Sequence, residues 1–314
     1  MFWYAKPEAE PTLLENPWRQ TKGEWNDKYC GEIIQELKEF EVGDKITKAQ
    51  CLLLGPVISG KSSFVNSVIS ICKKRYSNSA YTAGRRWTSV TREYFSFDCE
   101  DEIGKKFCLC DTAGMMEKEE HGFNVENIVF LIEGNVEDGY KFNPTNTIEE
   151  NDFHFRKNPM LADKIHCAVF VLPATAIDRL SEMYMEKFRI LQEKLVKKDI
   201  PRVLLLTNCD LFCDEVKQNK RNLYRSIKVE KVATKAAETL SIPLSNIHPI
   251  VNHGGGEVYL DPATSIPILL ALRQMIHFAN DFIEKYTKKE KMENARRNKR
   301  ENVTNMMMEN TTNK

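Results

Sequence analysis

Residues 55–62 read Gly-Pro-Val-Ile-Ser-Gly-Lys-Ser, which fits the phosphate-loop pattern G-x-x-x-x-G-K-[ST]. That pattern needs a strand before it and a helix behind it, and both are legible. Cys51-Leu52-Leu53-Leu54 is an apolar run of buried-strand length, and Phe64, Val68 and Ile71 recur at helical spacing after the loop. Such a loop aims backbone N–H groups and the positive end of a helix at one point, which makes an anion cradle. Lys61 is then placed to reach β- and γ-phosphates, and the Ser62 hydroxyl to ligate Mg²⁺. Gly55 and Gly60 permit close backbone approach, and Ile58, Ser59 and Ser63 complete the loop's binding positions. The bland alternative is a glycine-containing strand-to-helix turn carrying a surface lysine.

Strands and helices alternate along the rest of the chain. Strands are predicted over residues 91–99 (an edge strand), 106–110, 166–172, 202–206 and 247–251. Helices are predicted over 27–41, 123–132, 176–197, 226–240 and 265–285. Short apolar strands separated by helices imply an α/β fold: a mainly parallel sheet with helices on both faces, of the P-loop NTPase, GTPase-like kind. Three regions follow: an N-terminal arm and helix over 1–45, a GTPase-like P-loop domain over 46–285, and a basic tail over 286–314 expected to be disordered. Residues 134–159 form a long polar stretch of the length expected for a functional or partly structured loop.

Two further motifs narrow the chemistry. Asp111-Thr112-Ala113-Gly114 lies at a strand end, where D-x-x-G supplies a Walker-B-like acid for Mg²⁺ (Asp111) and a backbone N–H for the γ-phosphate (Gly114). Thr207-Asn208-Cys209-Asp210 follows another apolar strand, at the place where GTPases read guanine with [NT]-K-x-D. Asp210 is the guanine-reading acid there, and Asn208 stands in for the lysine. The first-switch threonine over Mg²⁺ has the candidates Thr82, Thr88, Ser89 and Thr91, of which Thr88 is the choice. Met115-Met116 occupies the position where many GTPases place a water-orienting Gln, so no catalytic residue is assigned. Ile58 is a β-branched residue at a position costly for it if φ is positive.

Composition sets outer bounds. Forty-five basic residues balance 45 acidic ones, so the whole chain is no electrostatic binder of nucleic acid or membrane. No apolar run reaches transmembrane length, and the N-terminus lacks both a secretory leader and the glycine needed for myristoylation. Of the nine cysteines several (Cys51, Cys108, Cys110 and Cys167) lie in apolar runs, and Cys108-x-Cys110 and Cys209-x₃-Cys213 lack a matching partner pair at zinc spacing, as expected of reduced cytosolic thiols.

These pieces form an ordered series that resembles the interferon-induced protein 44 and 44-like family. Asn16-Pro17-Trp18-Arg19 with Trp25 precedes Leu52-Leu53-Leu54-Gly55-Pro56, Gly60-Lys61-Ser62-Ser63-Phe64 and Asn66-Ser67-Val68. Asp111, Gly134-Asn135, Tyr140-x-Phe142-Asn143-Pro144, Asp163-x-Ile165-His166-Cys167 and Leu204-Leu205-Leu206-Thr207 follow. Asp210, Leu260-Asp261-Pro262 and Ala271-Leu272-Arg273 close the series. The resemblance covers about residues 15–285. It implies an interferon-inducible, cytoplasmic, GTPase-like protein of antiviral defence that takes GTP or GDP with Mg²⁺. Members often carry an additional N-terminal domain, for which this chain is too short, so the resemblance implies the G-domain alone. Family patterns usually have Gly where Ile58 stands.

Three functional readings remain open. One is a guanine-nucleotide switch with slow or absent hydrolysis. A second is a pseudo-GTPase scaffold whose protein partners, still unidentified, ignore nucleotide; Ile58, Asn208 and Met115 motivate it. The third adds an acidic surface, nucleic acid or membrane, for the eight Lys and Arg between Lys285 and Arg300. Oligomerisation is compatible with all three.

Overall fold

The computed structural model describes residues 11–43, 46–80, 93–99, 101–115, 125–143, 146–254 and 259–312, with side chains up to 302 apart from Arg300. Its elements are α1 (Asp27–Glu39), β1 (Ala49–Leu54), α2 (Lys61–Lys73), β2 (Phe95–Phe97), β3 (Phe107–Asp111) and α3 (Ile128–Ile132). There follow β4 (Cys167–Pro173), α4 (Glu182–Lys197), β5 (Arg202–Thr207), α5 (Cys209–Phe212), α6 (Asp214–Gln218), α7 (Ile227–Leu240), β6 (Ile247–Pro249) and α8 (Pro262–Thr312).

The strands form one sheet in the order β2-β3-β1-β4-β5-β6. Every pairing is parallel except that of β2 with β3. Successive residues Leu52, Leu53 and Leu54 are all fully buried, as are Val169, Phe170, Val171 and Leu172. Neighbouring side chains on a strand point to opposite faces, so burial of every one means that both faces are covered. The α/β fold read from the sequence is therefore the observed one. α1 and α2 each pack on α8, α8 lies against β1 and β4, and α3 and α4 pack together.

α2 is enclosed almost all round, with Phe64 to Cys72 buried without a break. Its polar members are satisfied internally. Asn66 bonds the Ala80 backbone through both ends of its amide, at 2.7 and 2.9 Å, and the Ser70 hydroxyl donates to Asn66 O at 2.7 Å. The helix behind the β1–α2 loop is thus an enclosed core element.

Several boundaries differ from expectation. The helix predicted over 176–197 is broken: a 3₁₀ turn covers Ala174–Arg179, Leu180 is extended, and Ser181 then caps α4 by accepting from Tyr184 N at 3.1 Å. A serine cap outcompetes helical continuity across this point. The 123–132 segment is a 3₁₀ turn over Val125–Asn127 followed by one short helix. Where disorder was expected near the C-terminus, α8 runs unbroken to Thr312, because its Lys-, Arg- and Glu-rich continuation holds no helix breaker. Among the described residues, no helix is long and apolar enough to cross a membrane.

The N-terminal arm is extended and strapped to the body. Leu14 N donates to Arg225 O at 2.8 Å and Trp18 N to Tyr224 O at 2.9 Å. Trp18 and Trp25 flank the Tyr224 ring at centroid distances of 5.8 and 4.9 Å.

Candidate phosphate-binding site

β1 ends at Leu54 and α2 begins at Lys61, so the loop between them sits at the carboxyl edge of the sheet's central strands. Open α/β sheets bind ligands at that edge. Gly55 has no room for a side chain: a Cβ there would stand 2.2 Å from Val171 O. Gly60 caps α2 at φ +97°, a conformation that favours glycine. Ile58 lies at φ +62°, the left-handed region that its branched Cβ disfavours, and its side chain is 58% exposed. The sequence reading of a costly Ile58 is therefore correct.

Lys61 is buried, and its ammonium donates to Gly55 O at 3.1 Å and Pro56 O at 3.0 Å. The Ser62 hydroxyl donates to Asp111 Oδ2 at 2.7 Å, which joins the first motif to the second. Burial pushes the Asp111 carboxyl up, against the opposing pull of Lys61, Ser62 and the Thr112 backbone. Burial likewise pushes Lys61 down, partly offset by Asp111. Two opposite charges thus share a poorly hydrated pocket, an arrangement common at functional sites.

The other Asp111 oxygen, Oδ1, is buried with no hydrogen-bond partner. An orphaned carboxylate oxygen beside a serine hydroxyl is a hard-oxygen donor set, and it fits Mg²⁺, which binds through one or two protein oxygens plus phosphates and water.

The D-x-x-G segment packs directly on the loop. Thr112 Oγ1 donates to Leu53 O at 2.9 Å, and Met115 N donates to Gly55 O at 2.9 Å. A Cβ on Gly114 would stand 2.5 Å from Val57 Cγ2, so only glycine allows this approach. Met115 is 2% exposed, which removes its side chain from any role in orienting water.

Asp210 lies in the first turn of the short helix α5 and is half-exposed. Asn208 precedes it in the left-handed region at φ +56°, where asparagine is tolerated. The preceding Thr207 reaches across to the phosphate loop, its hydroxyl donating to Ser59 O at 2.6 Å. Ser59 Oγ itself is buried without a partner. Ser63 sits half-buried in the first turn of α2, where its carbonyl accepts from Ser67 Oγ at 2.8 Å. The loop, Asp111 and the Thr207 segment thus converge. Thr82, Thr88, Ser89, Thr91, Met116 and the acidic run after it lie outside the described residues.

Asn252 has no counterpart in the sequence reading. It follows β6, receives Ser67 Oγ at 3.3 Å, and points its amide nitrogen at Gly60 O at 3.5 Å. Its position after the last short strand was the only available signal.

No protein-family model matches the chain. It is 34% identical over 256 residues to human interferon-induced protein 44-like, covering 80% of this chain and 56% of that protein. It is 32% identical to chimpanzee (Pan troglodytes) interferon-induced protein 44 over 256 residues, covering 80% of this chain and 57% of the relative. The chain therefore spans little more than half the length of these relatives. Among solved structures, Arabidopsis thaliana Toc33 in complex with Mg²⁺ and GMPPNP aligns over 79% of this chain and 92% of its own, at 15% identity and a TM-score of 0.42.

Proposed function

The chain belongs with interferon-induced protein 44 and 44-like over the 256 residues it shares with them, and on that premise we propose a guanine-nucleotide-binding, GTPase-like protein of the antiviral interferon response, with slow or absent hydrolysis. The observation that carries this reading is the convergence of Lys61, Ser62 and Asp111, with Asp111 Oδ1 left unpartnered. In this reading the backbone of residues 55–62 cradles the phosphates. Lys61 leaves the loop carbonyls for phosphate oxygens, a stronger and charge-assisted partner. Ser62 and Asp111 would hold Mg²⁺, which neutralises phosphate charge when bound. Asp210 accepts from the guanine edge. The buried Met115, in place of a water-orienting Gln, supports slow turnover.

The test is calorimetric titration of nucleotide-free protein with non-hydrolysable GTP and ATP analogues in the presence of Mg²⁺. Micromolar binding of the GTP analogue alone is expected, with Lys61→Ala weakening it at least a hundredfold and Asp210→Asn removing the preference for guanine. Tight binding that survives Lys61→Ala would sink the assignment. The strained Ile58 supports a second reading, a pseudo-GTPase scaffold. It predicts no binding of either analogue, and partner capture that is indifferent to Lys61→Ala.

A further inference from the structure

We propose that Cys72, Cys99 and Asp101 form a binding site for a zinc-class divalent cation, separate from the phosphate loop. Cys72 sits in the last turn of α2, Cys99 two residues beyond β2, and Asp101 in the turn leading to β3. One ligand atom from each comes within 4.8 Å of the other two. Ligands on a zinc tetrahedron with bonds of about 2.0–2.3 Å stand roughly 3.3–3.8 Å apart, so only a small closure is needed.

The donor set selects the metal. Two thiol sulfurs are poor ligands for Mg²⁺ or Ca²⁺ and good ones for zinc. Both thiols are buried, at 8% and 5% exposure, whereas Asp101 is half-exposed and leaves an entry path with room for a water as fourth ligand. The supporting shell is built. Gly104 N donates to Asp101 Oδ1 at 2.9 Å and so orients the carboxylate. Gly104 also packs so tightly under Cys99 that a Cβ would stand 2.3 Å from Cys99 O.

Two thiolates and a carboxylate would carry three negative charges, and a divalent cation would offset two of them. The other nearby acid, Asp98, is paired with Lys48. A bound cation would tie α2 to the β2–β3 turn.

The full chain, kept reduced, is titrated with Co²⁺ as a spectroscopic probe and then with Zn²⁺ in competition. One cobalt per chain is expected, with thiolate charge-transfer absorption in the near ultraviolet and tetrahedral bands in the visible, both abolished by one equivalent of zinc. Cys72→Ser/Cys99→Ser should remove these bands, and Cys108→Ser/Cys110→Ser should leave them. Asp101→Asn, which keeps both thiols in place, should weaken zinc binding roughly tenfold or more. Absence of a cobalt–thiolate band in reduced wild-type protein overturns the proposal, as does a band that survives the Cys72/Cys99 double change. If the double variant fails to fold, an unchanged zinc affinity in Asp101→Asn overturns it. A Cys72–Cys99 disulfide in unreduced protein, with no cobalt uptake after reduction, does the same.

Discussion

Ile58 is a residue placed against its own backbone preference. A β-branched L-residue in the left-handed region costs about 1–2 kcal/mol, and Ile58, mostly exposed, recovers little of this by burial. Ile58→Gly is therefore expected to stabilise the protein by ~1 kcal/mol, a rise of a few degrees in Tm, and, on the proposed function, to tighten GTP binding by making the loop easier to close on phosphate. Thermal scans and calorimetry check both, and an unchanged Tm would mean that the loop holds no strain. Asn208 shows the contrast: it also has positive φ, but its side-chain type visits that region routinely. Lys61, Ser62 and Asp111 were legible because each belongs to a short local pattern. Thr207 and Asn252 were not, since their contacts to Ser59 and Gly60 cross 148 and 192 residues of sequence and depend on strand order.

At the scale of elements, the N-terminal arm behaves as a strap with one principal rivet. Arg19 donates to Leu244 O at 2.7 Å, bonds the His248 ring, and stacks its guanidinium near both Trp18 and Tyr224. Hydrogen bonds from a charged donor and cation–π contacts together suggest that Arg19→Ala costs ~2 kcal/mol. A denaturant midpoint shifted by that amount, with an unchanged slope, is the expected result. Arg19→Lys should recover only part of the loss, because an ammonium lacks the planar fork. The composition of the arm suggested extended chain, but not that it docks on the 3₁₀ turn over Lys220–Tyr224. The stretch 134–159 is tied down in a similar way. The Arg156 guanidinium donates to Gly134 O at 2.9 Å and pairs with Glu137 and Asp163. It also lies beside the sheet's edge strand, since Asp138 accepts from Ser96 N at 2.9 Å.

Among the described residues three histidines are buried, His166, His248 and His253, and the nucleotide reading uses none of them. Nδ1 of His166 accepts from Gln50 N at 3.0 Å, so Nε2 carries the proton and donates to Leu161 O at 2.8 Å. In His248, Nδ1 faces an Arg19 N–H at 3.3 Å, and Nε2 bonds Gln274. In each ring the free nitrogen meets a donor, and protonation would break that bond. Burial lowers His166 to about 4, and burial with the Arg19 charge lowers His248 to about 3. The sign follows from linkage. Below the ordinary histidine value near 6.5, the unfolded chain takes up protons that the folded chain refuses, so stability falls as pH drops from about 6.5 towards 4. Each histidine contributes up to ~1.4 kcal/mol per pH unit in that window. Denaturation midpoints measured from pH 7 to 4.5 should decline, and His248→Gln should flatten the decline. A flat profile in the wild type would contradict the burial argument.

The sequence alone determined the glycine-flanked loop between β1 and α2, the place of Asp111 at a strand end, the alternation of short apolar strands with helices, and hence an α/β sheet buried on both faces. All of these are local, set by side-chain periodicity and by the few residues a tight loop tolerates. Tertiary structure alone decided what crosses the chain: the Ser62–Asp111 bond, the orphaned Asp111 oxygen, Thr207 and Asn252 at the loop, and the meeting of Cys72 with Cys99 and Asp101. No sequence spacing encodes such contacts, because strand order and the packing of the sheet bring those residues together.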